Sequence, residues 1–440
     1  MASSYLNRTQ GTPTSRKTFT YSAWIKISEL NVYNILFESA SGSHNSQMLI
    51  QNNGNGNDFR VYDYDGSTNL NLRTSQAFRD VSAWYHIVLA VDTTQATASN
   101  RAKLYVNGEQ VTSFSATTYP SQNYDTAFAN GVNMQIGRQQ SASDYFNGLM
   151  THIHFIDGLA YDADTFGEID STTGIWIAKT SPSVTYGTNG FFLKGENSGA
   201  LGTDSSGNGN NFTVNGTPTQ TIDTPSNVFA TMNPLSAYGS VTLANGNTQV
   251  NVADNTDNVT SNFMVSSGKW YWEGKYTVGS LAMFGIRPEG MNYNQSNTFN
   301  LTGTYQGYYY YADSGNQRPA NTAYGNTFAV NDIIGIALDL DNNKLYFSKN
   351  GVFQNSGDPT SGATGTGAIS IATSELTWGF SFTSGGGSDT FQMNFGNGFF
   401  GTTAVASAQN PDDGIGIFEY DVPTGYRALC TKSINAQEYS

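Results

Sequence analysis

Apolar and polar residues alternate along much of this chain with a period of two. Thr20-Tyr21-Ser22-Ala23-Trp24-Ile25-Lys26-Ile27, Tyr85-His86-Ile87-Val88-Leu89-Ala90-Val91-Asp92 and Ile333-Ile334-Gly335-Ile336-Ala337-Leu338-Asp339-Leu340 are the clearest runs. In the last, Ile334, Ile336, Leu338 and Leu340 share one face. No window sustains apolar residues at i, i+3, i+4 and i+7 over several turns. Short alternating runs with turn residues between them predict an all-β sandwich or barrel. The alternation is imperfect, as expected where strands are packed on both faces.

Two hairpins are predicted strongly. Residues 103–111 carry Asn107-Gly108 between strand-like halves, and residues 344–353 repeat the arrangement around Asn350-Gly351. Asn-Gly suits a type I′ turn, whose two central residues both need positive φ. Each hairpin follows an apolar strand ending in Asp, Leu89-Ala90-Val91-Asp92 and Leu338-Asp339-Leu340-Asp341. The chain is therefore expected to hold two related antiparallel β modules. Residues 1–194 form the first and residues 237–403 the second. Residues 195–236 are a connector dense in Gly, Asn, Ser, Thr and Pro. It reads either as a flexible linker or as a connecting strand with ordered turns, since Phe212, Val214, Val228 and Phe229 are spaced through it. Residues 404–440 form a closing segment, in which residues 416–423 read as one more strand.

Composition narrows the function. Charged residues are only 12% of the 440, and 34 acidic side chains against 20 basic ones give a net charge of −14. Nucleic-acid binding is not expected, because phosphate contacts need clustered Lys and Arg. The single Cys, Cys430, excludes a disulfide framework and a Cys-based zinc site. Aromatics at 13% argue against disorder. No stretch approaches the roughly 18 apolar residues of a membrane helix, and the first residues carry no apolar run, so neither a membrane span nor a secretion signal is expected. Folding in a cytoplasm is expected, with release in a virus particle as one route outward. The polarity comes from Asn, Ser, Thr, Gln and Tyr, which suits surfaces that face sugars or protein neighbours.

The first module resembles the LamG branch of the concanavalin A-like jelly rolls. The resemblance rests on Phe19-Thr20-Tyr21-Ser22-Ala23-Trp24-Ile25, Trp84-Tyr85-His86-Ile87-Val88, residues 103–108, Phe146-Asn147-Gly148-Leu149-Met150 and Gly158-Leu159-Ala160-Tyr161. The second resembles the SPRY domain through Gly268-Lys269-Trp270-Tyr271-Trp272-Glu273, Asn331-Asp332-Ile333-Ile334-Gly335 through Asn350-Gly351, and Phe391-Gln392-Met393-Asn394-Phe395-Gly396. Ser4-Tyr5-Leu6-Asn7-Arg8-Thr9, residues 204–211 and Pro423-Thr424-Gly425-Tyr426-Arg427-Ala428-Leu429-Cys430 make the whole chain resemble structural proteins of marine and cyanobacterial tailed phages. That resemblance implies a fibre- or adhesin-like virion component, present in many copies or as a homo-oligomer. Its implied partners are host-surface glycan or other virion proteins, as in a capsid-decorating, head-fibre or tail assembly protein.

Several residues invite chemistry. Glu168-Ile169-Asp170 is similar to the core of laminarinase-type hydrolases on the same fold. Retaining chemistry needs a second carboxylate about 5 Å away, and Ser171, Thr172, Thr173 and Gly174 supply none, so catalysis is not expected and a loop is. A polysaccharide depolymerase is kept as the enzymatic alternative. His152 and His154 alternate on one strand, where two His can ligate a metal or form a polar strand face with Ile153 and Phe155 on the core side. Asp58, Asp63 and Asp65, near a Gly-rich stretch, are the calcium candidates; otherwise Asp63 and Asp65 are the outward face of a strand. No other cofactor is expected. Tyr308-Tyr309-Tyr310-Tyr311 falls on a strand by the SPRY resemblance, so alternate Tyr are expected in the core. Asp144 and Tyr145, in a loop before Phe146, and Tyr62 are the ligand-contact candidates.

Overall fold

A computed structural model describes residues 4–51, 56–128, 133–140, 144–171, 174–255, 257–289, 307–372 and 377–438. The chain divides into two compact units, the first of residues 1–220 with 224–226 and the second of residues 221–223 with 227–440.

The first unit is a sandwich of two antiparallel sheets. One has eight strands in the order Phe114–Thr118, Thr68–Ala77, Asp58–Asp65, His44–Gln51, Asn34–Ser41, Asn133–Ile136, Tyr5–Thr9 and Thr213–Asn215. The other has six, in the order Phe191–Leu193, Gly148–Asp157, Thr18–Ile27, Tyr85–Asp92, Ala102–Val106 and Glu109–Gln110. Period-two alternation sends Phe19, Tyr21, Ala23, Ile25 and Ile27 from the six-stranded sheet against Phe37, Met48, Val61, Leu72 and Met134 of the other. Asn107 and Gly108 have φ of 49° and 87°, the two positive values that the predicted turn demands. A Cβ on Gly108 would also meet the Trp176 ring at 2.9 Å.

The connector is not a separate piece. Thr213–Asn215 adds the last strand to the eight-stranded sheet, and Phe212 joins the first core. Phe229 and Met232 are buried in the second unit. Apolar residues spaced through a Gly- and Asn-rich stretch are the physical reason, since turns connect short stretches that still have a side chain to bury.

The second unit also stacks two sheets. The larger follows the order Thr242–Ala244, Gln249–Val252, Asp389–Asn394, Lys269–Val278, Ile333–Asp339, Lys344–Lys349 and Val352–Phe353. The smaller runs Asn258–Thr260, Trp378–Ser384, Ala282–Pro288, Tyr308–Tyr311, Asn316–Arg318 and Thr322–Ala323. Ile334, Ile336, Leu338 and Leu340 enter the core between the sheets, as the alternation predicts. Asn350 and Gly351, with φ of 48° and 80°, turn the second hairpin.

The closing segment departs from expectation. Residues 416–423 form isolated bridges and no strand; Arg427–Ala428 pairs parallel with Lys269–Val278, and Thr431–Glu438 is a helix. Its apolar residues Phe418, Tyr426 and Ala428 cover the outer face of the larger sheet, against Tyr271, Ala337 and Tyr346. The buried carboxylate of Glu273 holds this segment by accepting from the backbone N–H groups of Glu419 and Tyr420, each at 2.9 Å.

Candidate functional site

The outer face of the eight-stranded sheet carries the most promising chemistry in the first unit. Residues directly opposite one another in a sheet project from the same face. The register therefore defines a row of Thr213, Asn7, Gln135, Glu38, Gln47, Tyr62, Asn71 and Thr118, one residue from each strand. A second row beside it holds Thr9, Asn133, Ala40, Asn45, Tyr64 and Thr68. Apolar residues between these positions, such as Phe37, Met48, Val61 and Met134, face the core.

The middle of this face is recessed. Glu38 is 1% exposed, Gln135 4% and Gln47 8%, although all three point away from the core. Glu38 organises its neighbours. Its Oε1 accepts from Gln47 Nε2 at 3.0 Å, its Oε2 accepts from the backbone N–H of Gln140, and it also takes a side-chain hydrogen bond from Asn45. Burial raises the Glu38 pKa; these hydrogen bonds and the charge of Arg138 pull it back down. With its amide nitrogen given to Glu38, Asn45 leaves Oδ1 buried without a partner among the described residues. Gln135 Oε1 and Asn133 Oδ1 are in the same condition.

Two aromatic clusters flank this floor. On one side the guanidinium of Arg60 lies 4.3 Å from the Tyr62 ring centroid, and Tyr62 and Tyr64 are parallel to within 11° at 6.1 Å. Arg60 Nε donates to Asn71 Oδ1 at 2.8 Å, which fixes the stack. On the other side Arg138 lies 4.6 Å from Tyr5 and 5.6 Å from Tyr145, and the two rings are 6.4 Å apart. Arg138 and Tyr145 form an antiparallel β-bridge, which holds Tyr145 beside Arg138. Four strand spacings separate Tyr5 from Tyr62, roughly 19 Å.

Of the ligand candidates, Tyr62 and Tyr145 thus occupy opposite flanks of one face. Asp144 supplies a backbone oxygen to Gln139 N–H at 3.0 Å. Glu38, Asn45, Asn133, Gln135, Tyr5, Tyr64, Arg60 and Arg138 were not singled out in the sequence. Their signal was present as polar residues at alternate positions of successive strands, but only the register shows that they meet.

The calcium candidates do not converge. Asp58 lies on the outer face, where Arg73 Nε and Nη2 donate to its Oδ2 at 2.8 and 2.7 Å. Asp63, five residues on, alternates to the inner side and is fully buried. It accepts from Tyr124 OH at 2.7 Å, Ala127 N–H at 3.1 Å and Ser46 Oγ, with His44 Nε2 at 3.1 Å. Asp65 is exposed. Among the described residues no group of three His, Cys, Asp or Glu side chains is arranged to hold a metal.

His152 and His154 correct another expectation. A bulge between Thr151 and His154, with His152 at φ 48°, breaks the alternation that would align them. His154 stacks on Phe192 at 3.9 Å and meets Tyr186 OH at 3.0 Å; its face of the six-stranded sheet is a second core, not a polar surface. Ile153 and Phe155 do face the main core. His86 lies on this second face between Trp24 and Trp176, and Trp176 Nε1 donates to its Nδ1 at 3.0 Å. Burial, with His152 nearby, pushes the His86 pKa down to about 3, and burial lowers those of His152 and His154.

Glu168 sits on a short exposed strand, Gly167–Ile169, paired with Trp176–Ala178, where a loop was expected. The ring of Trp176 packs over Gly167, which is why the flanking glycine extends the strand rather than ending it. The Tyr run is a strand: Tyr308 and Tyr310 enter the core of the second unit, while Tyr309 and Tyr311 are buried on its other face with Met283. Cys430 is buried 3.3 Å from Ser433 Oγ, and burial raises its thiol pKa.

Comparison with known families agrees with these two architectures. Residues 2–163 match the concanavalin A-like lectin/glucanases superfamily, and residues 269–397 match the SPRY domain. The chain carries a concanavalin A-like domain followed by a SPRY domain. Similar solved structures include the SPRY domain of human HERC1, 16% identical, covering 37% of this chain and 96% of that one with a TM-score of 0.29. The TRIM65 PSpry domain is 14% identical over 38% of this chain and 91% of its own, with a TM-score of 0.29. Domain 4 of AbnA, an extracellular arabinanase of Geobacillus stearothermophilus solved with arabinotriose, is 18% identical over 33% of this chain and 63% of its own, with a TM-score of 0.26. No curated protein matches the chain. The outer sheet face described above thus belongs to the concanavalin A-like domain, and the strap held by Glu273 to the SPRY unit.

Proposed function

We propose that the concanavalin A-like domain is a non-catalytic saccharide-binding module whose site is the outer face of the eight-stranded sheet. The observation that carries this reading is the pairing of two Tyr–Arg clusters, at Tyr62 and at Tyr145, across a recessed floor of amide side chains. Aromatic faces stack on sugar rings while amides bond to hydroxyls. Glu38 is engaged by Gln47, Asn45 and Gln140, which supports a positioning role over that of a free acid.

The setting we propose is a tailed-phage particle, on the resemblance of residues 4–9, 204–211 and 423–430. There the chain would be a fibre- or adhesin-like protein in many copies, docking on host-surface glycan or on virion neighbours. Individually weak contacts would then gain avidity from copy number.

Titration of the full chain with oligosaccharides, beside the double variant Tyr62→Ala/Tyr145→Ala, tests the site. Binding by the native chain and its loss in the variant are expected. Saccharide binding that survives both changes would move the site elsewhere. Antibody labelling of the particle tests the setting: fibre tips favour host attachment, and a uniform capsid coat favours assembly.

A further inference from the structure

We infer that the floor of this face selects neutral, hydroxyl-rich saccharide and rejects saccharides carrying carboxylate or sulfate, with one sugar ring seated over Ala40; the inference rests on the saccharide reading above. Three observations carry it. Gln135 Oε1, Asn133 Oδ1 and Asn45 Oδ1 are buried acceptors without partners among the described residues. All three lie on the outer face, Gln135 and Asn133 two apart on one strand and Asn45 two strands over. Between Asn133 and Asn45 in the same row stands Ala40, the smallest side chain of that row.

Buried acceptors without partners cost free energy until a donor meets them. A ligand complementary to this floor must therefore bring protons. Sugar hydroxyls each offer one. A carboxylate or sulfate at neutral pH offers none, and would set its charge beside Glu38. Among the described residues, one unpartnered donor is Arg138 Nε, in the Tyr5–Tyr145 cluster at the flank of the floor. A hydroxyl oxygen can accept from it, so a neutral ring satisfies both kinds of group. Asn45 keeps Oδ1 as its open acceptor because its amide nitrogen is held by Glu38. Glu38 is thus a positioning residue for the floor.

The test is calorimetric titration of the full chain with three pairs of tetrasaccharides, each a neutral hexose oligomer and its uronic counterpart: galacto, gluco and manno. Within any pair that binds, the neutral member is expected to bind at least about ten-fold more tightly, as for loss of one or more hydrogen bonds. A uronic member that binds equally or better overturns the selectivity while leaving the saccharide reading intact. Silence from all six overturns the saccharide reading itself, and this inference with it. Ala40→Met should lower neutral binding by about ten-fold or more with the thermal midpoint unchanged. Unchanged affinity in a folded Ala40→Met protein overturns the placement. Should that variant not fold, Gln135→Met should weaken neutral binding to the same extent, and unchanged affinity there overturns the placement equally.

Discussion

The hydroxyl of Tyr124 donates to Oδ1 of Asp63 at 2.7 Å, tying the segment before Phe128 to the end of a strand in the eight-stranded sheet. The same carboxylate takes the backbone N–H of Ala127 and the hydroxyl of Ser46. A buried carboxylate so fully engaged is a structural anchor. Asp63→Asn should destabilise the first unit by about 3 kcal/mol, since bonds to a charged group are lost and an amide NH₂ is turned on donors. Urea unfolding measures this. The same curves with calcium and with EDTA should coincide; a calcium-dependent midpoint would restore Asp63 to a metal site.

Glu38→Gln should weaken saccharide binding by about five- to thirty-fold, equivalent to about 1–2 kcal/mol. The amide that replaces the carboxylate cannot accept at both positions, so Asn45 and Gln47 lose their fixed orientation. Because Glu38 acts through those neighbours, Glu38→Asp should recover little. The readout that separates positioning from mere stability is the affinity for neutral sugar at a temperature far below the melting midpoint.

The first unit should lose stability in acid. His86, its pKa pushed to about 3 in the folded state against 6.5 unfolded, binds its proton more readily when unfolded. His152 and His154 are shifted the same way. Their contribution is fully present above pH 6.5 and declines progressively as pH falls towards 3. Trp176→Phe, which removes the indole donor to His86, should cost about 1 kcal/mol at pH 7. Calorimetric midpoints at pH 7.5, 6 and 5 check both statements.

Glu273 in the SPRY unit works in the opposite sense. Burial raises its pKa to about 7, against the lowering effect of the Glu419, Tyr420, Tyr271 and Asn394 donors. A carboxyl with a raised folded pKa stabilises fully below about 4.5 and loses that contribution as pH rises through 7. Glu273→Gln should place an NH₂ against backbone donors and free the strap. Limited proteolysis should then cut within residues 405–426 ahead of the rest of the unit, whereas the native chain should resist.

Much of the architecture was legible because alternation and Asn-Gly turns are local signals. Ile334, Ile336, Leu338 and Leu340 face one core, and both Asn-Gly pairs adopt the positive φ their chemistry favours. What was not legible depended on register and on irregularity. Tyr62 could be named from the sequence, but Glu38, Asn45, Asn133 and Gln135 lie on other strands, and only pairing brings them to one face. The bulge that turns His152 out of step has no mark in Thr151-His152-Ile153-His154 that alternation could detect. Asp58 and Asp63 share a stretch of sequence but differ in parity along the strand, and parity decides what each carboxylate meets.

The pairing of Asn7 with Thr213 sets an order of events during synthesis. The strand Tyr5–Thr9 leaves the ribosome well ahead of its two neighbours in the sheet, Asn133–Ile136 and Thr213–Asn215, which come more than a hundred residues later. Until then its backbone donors and acceptors on both sides stay open to other partners. Loop closure over such distances makes folding slow and leaves unpaired edges exposed to association. A nascent chain arrested before residue 213 should therefore be sticky, and a cell that makes many copies would gain from chaperones that hold this first strand until its second neighbour arrives.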